Sequence, residues 1–331
     1  MGFWQGRRVL VTGAGGFIGS HLTERLVRAG ARVRAMVHYN SRNDWGQVEQ
    51  LADGVRDSLE VLSGDVRDPF FCGEAVKDQA VVMHLAALIA IPYSYVAPAE
   101  YVATNVLGTL NVLQACRQGG TEKVVHTSTS ETYGTAQYVP IDEKHPMQGQ
   151  SPYSASKIGA DMIAESFFRS FGTPVATIRP FNTYGPRQSA RAVIPTIAAQ
   201  LAAGMKRIHL GSLAPVRDLT YVQDTAAGFM AVAESPKTVG EVVNVGSGEG
   251  ISIGELAGLI MEVMGVRAEI ATDAARVRPE NSEVMRLIAC TDKAAELTGW
   301  RPQHALRDGL KRVAEYITEH LDLYKPEIYN V

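Results

Sequence analysis

The chain has 331 residues, 46% hydrophobic and 20% charged, with a formal net charge of −3. That length suits one large α/β unit or two closely joined domains, and the composition is that of an ordinary soluble globular protein. The charge balance excludes a global basic field for nucleic acid or an anionic membrane, although single basic residues remain free to hold a phosphate.

The three cysteines, Cys72, Cys116 and Cys290, are scattered. Their spacing matches neither a metal site nor a disulfide framework, so a reducing compartment is expected. The eight histidines have no metal-ligand spacing either, and no metal is expected. About four apolar residues precede the first glycine loop, too few for the apolar region of a signal peptide. No run approaches the roughly 18 apolar residues of a membrane span. A soluble, cytoplasmic protein is expected.

In chain order, RVLVTG is a short apolar run ending in glycine. FIGSHLTERLVRAG places Ile18, Leu22, Leu26 and Val27 on one helical face and stops at Gly30. ARVRAMVHY, LEVLSGDV and AVVMHLAAL predict the second, third and fourth strands. VATNVLGTLNVLQACRQGG predicts a helix stopped by two glycines. KVVHTST is a fifth strand, SPYSASKIGADMIAESFFRSFG a long helix and PVATIRPF a sixth strand. Strands alternating with helices imply right-handed crossovers and a parallel, doubly wound Rossmann-type α/β sheet.

The rhythm breaks after about residue 181. NTYGPRQSARA reads as a polar loop, followed by a helix and then short segments and turns through HLGSLAPVRDLTYV. GEVVNVGSG predicts one more strand for the first sheet. ISIGELAGLIMEVMG is an amphipathic helix opening after Ser252, and WRPQHALRDGLKRVAEYITEHL holds another. A dinucleotide-type domain over 1–180, with returning segments near 218–246, is therefore expected. A smaller α/β substrate domain would take 181–217 and 247–331.

GAGGFIG sets Gly13, Gly16 and Gly19 between a strand and a helix. A helix start presents free N–H groups and partial positive charge, and glycines let a pyrophosphate approach the backbone. The spacing is G-x-x-G-x-x-G, since residue 18 is isoleucine. Val37 stands where an NAD binder carries an acid for the ribose, followed by His38, Tyr39, Asn40, Ser41 and Arg42. Ser41 and Arg42 would welcome a 2′-phosphate, so NADP is expected over NAD. Asp65, after the third strand, is either an adenine-edge contact or a turn cap.

Tyr153 and Lys157 stand four apart at the start of a helix, one turn above the other on one face. A free phenol titrates near about 10. A neighbouring ammonium and a cationic nicotinamide favour the phenolate, which can take an alcohol proton as hydride leaves the carbon.

GAGGFIG, HLAA (84–87), TN (104–105), STSE, YSASK and RPFNTYGPR (179–187) occur in this order. Together they resemble an extended short-chain dehydrogenase/reductase of the nucleotide-sugar epimerase and dehydratase group, over essentially the whole chain. The resemblance implies that Tyr153 and Lys157 are catalytic with Thr129 as the third member, and that nucleotide sugar binds between the domains. It implies cofactor contacts from Phe17 and Ile18 in the glycine loop and from Val66 beside Asp65. Leu85, Ala86, Ala87 and Thr104 follow from the HLAA and TN motifs. It implies Asn182, Arg217 and Arg278 as diphosphate contacts, Glu283 as a ribose contact, Ser94 near the sugar and Arg191 as a further substrate contact. Guanidinium suits phosphate because its donors form a fork. Homodimerisation through helices at 100–119 and 153–171 is implied in the same way.

Glu131 divides the group. Once a sugar C4 alcohol is oxidised, the C5 hydrogen becomes acidic. A carboxylate over it can remove that proton while the C6 hydroxyl leaves as water. Family 4-epimerases carry a small or apolar residue here. GDP-mannose 4,6-dehydratases carry Thr-Ser-Glu, as in Thr129, Ser130 and Glu131. Without an Asp at 130, Glu131 is also expected to protonate the leaving hydroxyl, with Ser130 a hydrogen-bonding helper. UDP-glucuronate decarboxylases share the triplet, so a decarboxylase stays open beside a 4-epimerase and, from another class, a silent NAD(P)-binding regulator. VHYNSRNDWG, SLAPVRDLTYVQDT and YKPEIYNV resemble the dehydratases that act on GDP-N-acetylglucosamine in legionaminic acid biosynthesis, which favours dehydration of a GDP-linked N-acetylhexosamine.

Overall fold

In the computed structural model, which describes residues 2–329, short apolar runs near the N-terminus become strands enclosed on both faces. They are β1 (Arg8–Thr12), β2 (Arg32–His38), β3 (Glu60–Gly64), β4 (Val81–His84), β5 (Lys123–Thr127) and β6 (Val175–Pro180). In the second half follow β7 (Asn182–Tyr184), β8 (Arg207–Leu210), β9 (Val216–Tyr221) and β10 (Val242–Val245). Seven strands pair in the order β10-β6-β5-β4-β1-β2-β3, every pair parallel. Every residue of β4 and β6 is buried, as expected of a parallel sheet covered by helices on both sides. The expected Rossmann-type sheet is present, and GEVVNVGSG supplies its edge strand, β10.

The covering helices begin with α1 (Phe17–Arg28), α2 (Asp53–Arg56), α3 (Pro69–Val76), α4 (Ile91–Val96) and α5 (Pro98–Tyr101). Then come α6 (Gly108–Gly119), α7 (Pro152–Phe171), α8 (Val193–Ala202) and α9 (Val222–Glu234). Ser151 caps α7 in a reciprocal capping box with Ser154, and Gly172 ends it in the left-handed conformation. The helix expected across 102–120 is not uniform: Val102–Leu107 is wound as a π-helix before α6 begins. Asn105 gives the reason. Its amide bonds both the N–H and the carbonyl of Leu88 and the Ser156 hydroxyl, and its own carbonyl accepts from Thr109.

A second core gathers α8, β8 and β9 with α10 (Ile253–Met264) and α12 (Leu306–Glu319). β9 pairs with β7, with β11 (Gly250–Ser252) and with β13 (Arg286–Leu287), while β8 pairs with β12 (Glu269–Thr272). A short α11 (Asp292–Thr298) precedes the tail helix, which starts only at Leu306, later than the tail sequence suggested. Pro302, which removes a backbone donor, explains the delay. Ser252 caps α10, as read from the sequence. Among the described residues, no helix is long and apolar enough to cross a membrane.

The tail is tied to the sheet through Asp224 on α9. Its carboxylate accepts from the N–H of Gln303 and His304 and from His304 Nδ1, at 3.0, 2.9 and 2.9 Å. Trp300, packed in the main core, donates its indole N–H to the Asp224 carbonyl. Replacing Asp224 by Ala strips the acceptor from two backbone donors, and equilibrium urea unfolding should register a loss of about 2–4 kcal/mol.

Candidate active site

Strand order reverses between β1 and β4, which opens a crevice at their carboxyl ends. Thr12 closes β1 there. Its hydroxyl accepts from the N–H of Leu85 and Ala86, both at 3.1 Å, and so donates to His84 Nδ1 at 2.9 Å. That fixes the tautomer: His84 Nε2 donates to Thr109. Burial holds His84 neutral, as packed core rather than a ligand. The glycine loop lies against this point. A Cβ on Gly13, whose φ is +71°, would sit 2.9 Å from Ala86 N, and one on Gly19 would sit 2.2 Å from Gly13 O. Gly15, absent from the sequence reading, is held as closely: a Cβ there would lie 2.7 Å from Trp45 O.

At the end of β2, Val37 is buried and His38 is exposed, with its Nε2 3.6 Å from Asp65. Asp65 is committed to Arg67 through two side-chain bonds and a backbone N–H. Both readings of Asp65 thus keep some ground: it caps its turn, yet it lies beside the strand end. Asn40 braces the following loop by accepting from the N–H of Arg42 and Asp44. Arg42 is left 84% exposed, as the side chain measures it, with Ser41 beside it. Thr104 is half-buried on the π turn, and Val66 packs against Gly108.

Tyr153 and Lys157 occupy the first turns of α7 and are buried, 7% and 4% exposed. Thr129, in the loop after β5, meets the Tyr153 phenol with its hydroxyl and accepts from the Glu131 N–H. In the protein alone the phenol lies above its ordinary value. Burial drives it above its ordinary value, the Thr129 hydrogen bond pulls it down, and Glu131, Tyr101 and Asp161 push it up. Burial also brings the Lys157 ammonium down to about 8, opposed by Asp161. In this enclosed layer desolvation is the leading influence on both groups.

Glu131 sits in a short turn, Ser130–Tyr133, and is half-buried. Its charge is felt in two directions, by Tyr153 and by Arg217 on β9. Ser130 is buried. Arg217 Nη2 donates to Glu283 at 3.2 Å, and Arg278 Nη1 lies 3.6 Å from the same carboxylate oxygen. The structure therefore brings Arg217, Arg278 and Glu283 together. Arg278 Nη1 and Asn182 Oδ1 are buried without a hydrogen-bond partner. Arg191 is exposed, and its charge reaches Tyr101, whose ring stacks edge-on with Tyr153 at 6.2 Å. Ser94 is fully buried on α4, and its hydroxyl donates to the Ile91 carbonyl at 2.7 Å.

Sequence reasoning missed the layer beneath. Asp161, Arg179, His126 and Ser128 are all buried and joined by hydrogen bonds. One signal was available: Tyr153, Lys157 and Asp161 recur every four residues, along one helical face.

A family model for GDP-mannose 4,6 dehydratase matches residues 10–313. A putative UDP-glucose 4-epimerase of Methanocaldococcus jannaschii is 32% identical over 93% of this chain and 98% of its own. A dTDP-glucose 4,6-dehydratase of Streptomyces antibioticus is 30% identical over 96% of this chain and 94% of its own. Among solved structures, the dTDP-glucose 4,6-dehydratase of Streptomyces venezuelae, solved with NAD bound, superposes with a TM-score of 0.83. It is 28% identical and covers 96% of this chain and 99% of its own. With a glycine loop after β1, the Tyr153–Lys157 pair on α7 and an arginine cluster beside β9, the chain belongs to the GDP-mannose 4,6-dehydratase family of extended short-chain dehydrogenase/reductases, the nucleotide-sugar dehydratases and epimerases.

Proposed function

We propose that the protein is a nucleotide-sugar 4,6-dehydratase that works with a nicotinamide dinucleotide. The observation that carries this is the position of Glu131, whose charge reaches both the tyrosine and the arginine of the candidate diphosphate site. A 4-epimerase has no use for a carboxylate there, although relatives named as epimerases are as similar as those named as dehydratases. A decarboxylase of UDP-glucuronate remains the second reading, since it shares Thr129, Ser130 and Glu131.

The dinucleotide fits the residues present. Gly13 and Gly19 leave backbone where side chains would collide, at the start of α1. Gly16, Phe17 and Ile18 complete that turn, with Leu85, Ala86 and Ala87 opposite. When bound, the cofactor supplies a hydride acceptor for C4, a hydride donor for C6 and a cationic ring. Tyr153 takes the C4 hydroxyl proton, assisted by Thr129 and the Lys157 charge. Glu131 removes the C5 proton and returns a proton to the departing C6 hydroxyl, giving a 4-keto-6-deoxy sugar. Arg217, Arg278 and the amide of Asn182 hold the diphosphate, and Glu283 faces the ribose. GDP-N-acetylglucosamine is the proposed substrate, on the motif resemblance of 37–46 and 212–225.

NADP is the proposed form of the cofactor, with Ser41 and Arg42, which is exposed and 3.8 Å from Asp44, at the 2′-phosphate and Val37 rather than an acid in the ribose-binding position of β2. A homodimer is proposed through the 102–119 and α7 surfaces. Val102, Leu107, Met162 and Phe171 there are 51%, 50%, 43% and 49% exposed, a large apolar face. The cytoplasm is the proposed location.

Pure protein incubated with a panel of nucleotide sugars and catalytic NADP should release one water from a GDP-linked N-acetylhexosamine, read by product mass. Carbon dioxide from UDP-glucuronate, or an isomer of unchanged mass, would overturn the reading. Glu131→Gln should lower dehydration by about a hundredfold or more while single-turnover C4 oxidation, followed as reduced nicotinamide absorbance, stays near wild type. Equal loss of both would count against Glu131 as the C5 base. Arg42→Ala should weaken NADP binding about tenfold and leave NAD unchanged, measured by calorimetric titration.

A further inference from the structure

The enclosed layer under α7 contains more charge than catalysis by Tyr153 and Lys157 explains. Asp161 is 4% exposed and Arg179 3%. Asp161 Oδ1 accepts from His126 Nε2 at 3.0 Å, and Oδ2 accepts from Ser128 Oγ at 2.6 Å and Arg179 Nη2 at 2.8 Å. These donors come from β5, from the residue just after it, and from β6, so the carboxylate is cross-linked to the sheet floor from two strands. Arg179 is held in turn: Nε donates to Ser128 at 3.2 Å and Nη1 to Tyr133 at 3.0 Å, and Tyr133 donates to Asn244 on β10 at 2.8 Å.

A buried ion pair of this kind is a weak source of stability, because desolvation offsets most of the attraction. Its placement suggests another purpose. Tyr153, Lys157 and Asp161 succeed one another at intervals of one turn on the same face of α7. We propose that Asp161 is a positioning residue for the reaction: fixed one turn beyond Lys157 by its own donors, its carboxylate keeps Lys157 an ammonium beside Tyr153. The proposal rests on the assignment of Tyr153 and Lys157 as the catalytic pair.

The charges around Lys157 support it. On α7 it has Tyr153 before it and Asp161 after it. From β4 and β5 come His84 and His126, both disfavoured as cations by burial, and from β6 comes Arg179 through Asp161. Glu131 reaches Tyr153 from the cleft side. Within the enclosed layer, Asp161 is the carboxylate that opposes the loss of charge at Lys157. Without it, Lys157 and Arg179 would be two cations sharing a poorly solvated space. Arginine does not give up its proton there, so the lysine is the group that would.

Lys157 can be followed in the substrate-free protein by the pH dependence of its side-chain 13Cε and 15Nζ resonances. The wild-type midpoint should lie near 8. In Asp161→Asn it should fall by at least about one pH unit, the usual scale for loss of one close charge partner. The alkaline limb of reduced-cofactor formation should move down with it, whereas Asp161→Glu should restore both. Should the single variant fail to fold around an unpaired Arg179, the Asp161→Asn/Arg179→Met protein removes both charges and should again titrate Lys157 below wild type. A folded variant lacking Asp161 with an unmoved Lys157 midpoint overturns the proposal. Should neither variant fold, the wild-type Asp161 carboxyl carbon must shift as Lys157 titrates, and no response would overturn it equally. A wild type that reduces no cofactor with any nucleotide sugar would instead sink the functional assignment, leaving the lysine titration to decide the role of Asp161.

Discussion

The Asp161–Arg179 pair is the interaction on which the site's geometry depends. It joins α7, which carries Tyr153 and Lys157, to β6, and through Tyr133 and Asn244 to β10 at the sheet edge. Buried charges tolerate little displacement, because an unpaired partner in an apolar layer costs several kcal/mol, about 3–5 by analogy with broken buried pairs. The pair therefore fixes the register of α7 over the strand ends more tightly than apolar packing alone. Thr129 and Glu131 leave β5 just beside Ser128, which is itself a donor to Asp161. One network thus spaces Tyr153 on the helix and Glu131 on the loop relative to each other.

The sequence carried the fold well where physical signals were local. Apolar runs bounded by glycines became β1 through β6, and Ser252 and Ser151 capped the helices they preceded. It carried the fold poorly where the cause was tertiary. The π-helix at 102–107 depends on Asn105 reaching Leu88 and Ser156, contacts that no local propensity encodes. The two- to four-residue strands β7, β11, β12 and β13 are too short for any alternation to register. Among site residues, the spacing of Tyr153 and Lys157 and the glycine pattern were legible. The degree of enclosure of Tyr153, which raises its phenol, was not, because burial is invisible in a residue string.

Ser94 and Glu283 illustrate how residue-by-residue analogy meets local geometry. Ser94 lies on α4, where its hydroxyl donates to the Ile91 carbonyl of the same helix. The Glu283 carboxylate, taken by analogy as a ribose contact, bridges toward both candidate diphosphate arginines. The segment around it is fastened to the larger domain: Ser282 donates to the Gln150 carbonyl and meets the Tyr95 hydroxyl, and Gln150 donates to the Asn281 carbonyl. The arginine cluster is thus positioned by both halves of the chain.

That arrangement bears on how one scaffold separates dehydration from epimerisation. Both begin by removing a C4 hydride and proton, which requires only the tyrosine, the lysine and the dinucleotide. Dehydration also needs a carboxylate within reach of C5 while the diphosphate stays anchored. The Glu131 charge reaches both Tyr153 and Arg217, so on the proposed reading it lies between the end of the sugar that is oxidised and the end that is held. A carboxylate there would be an electrostatic burden near a bound diphosphate unless it had a use. On the proposed dehydratase reading, this carboxylate near Arg217 is the feature that separates eliminating across C5 and C6 from turning the 4-ketone over.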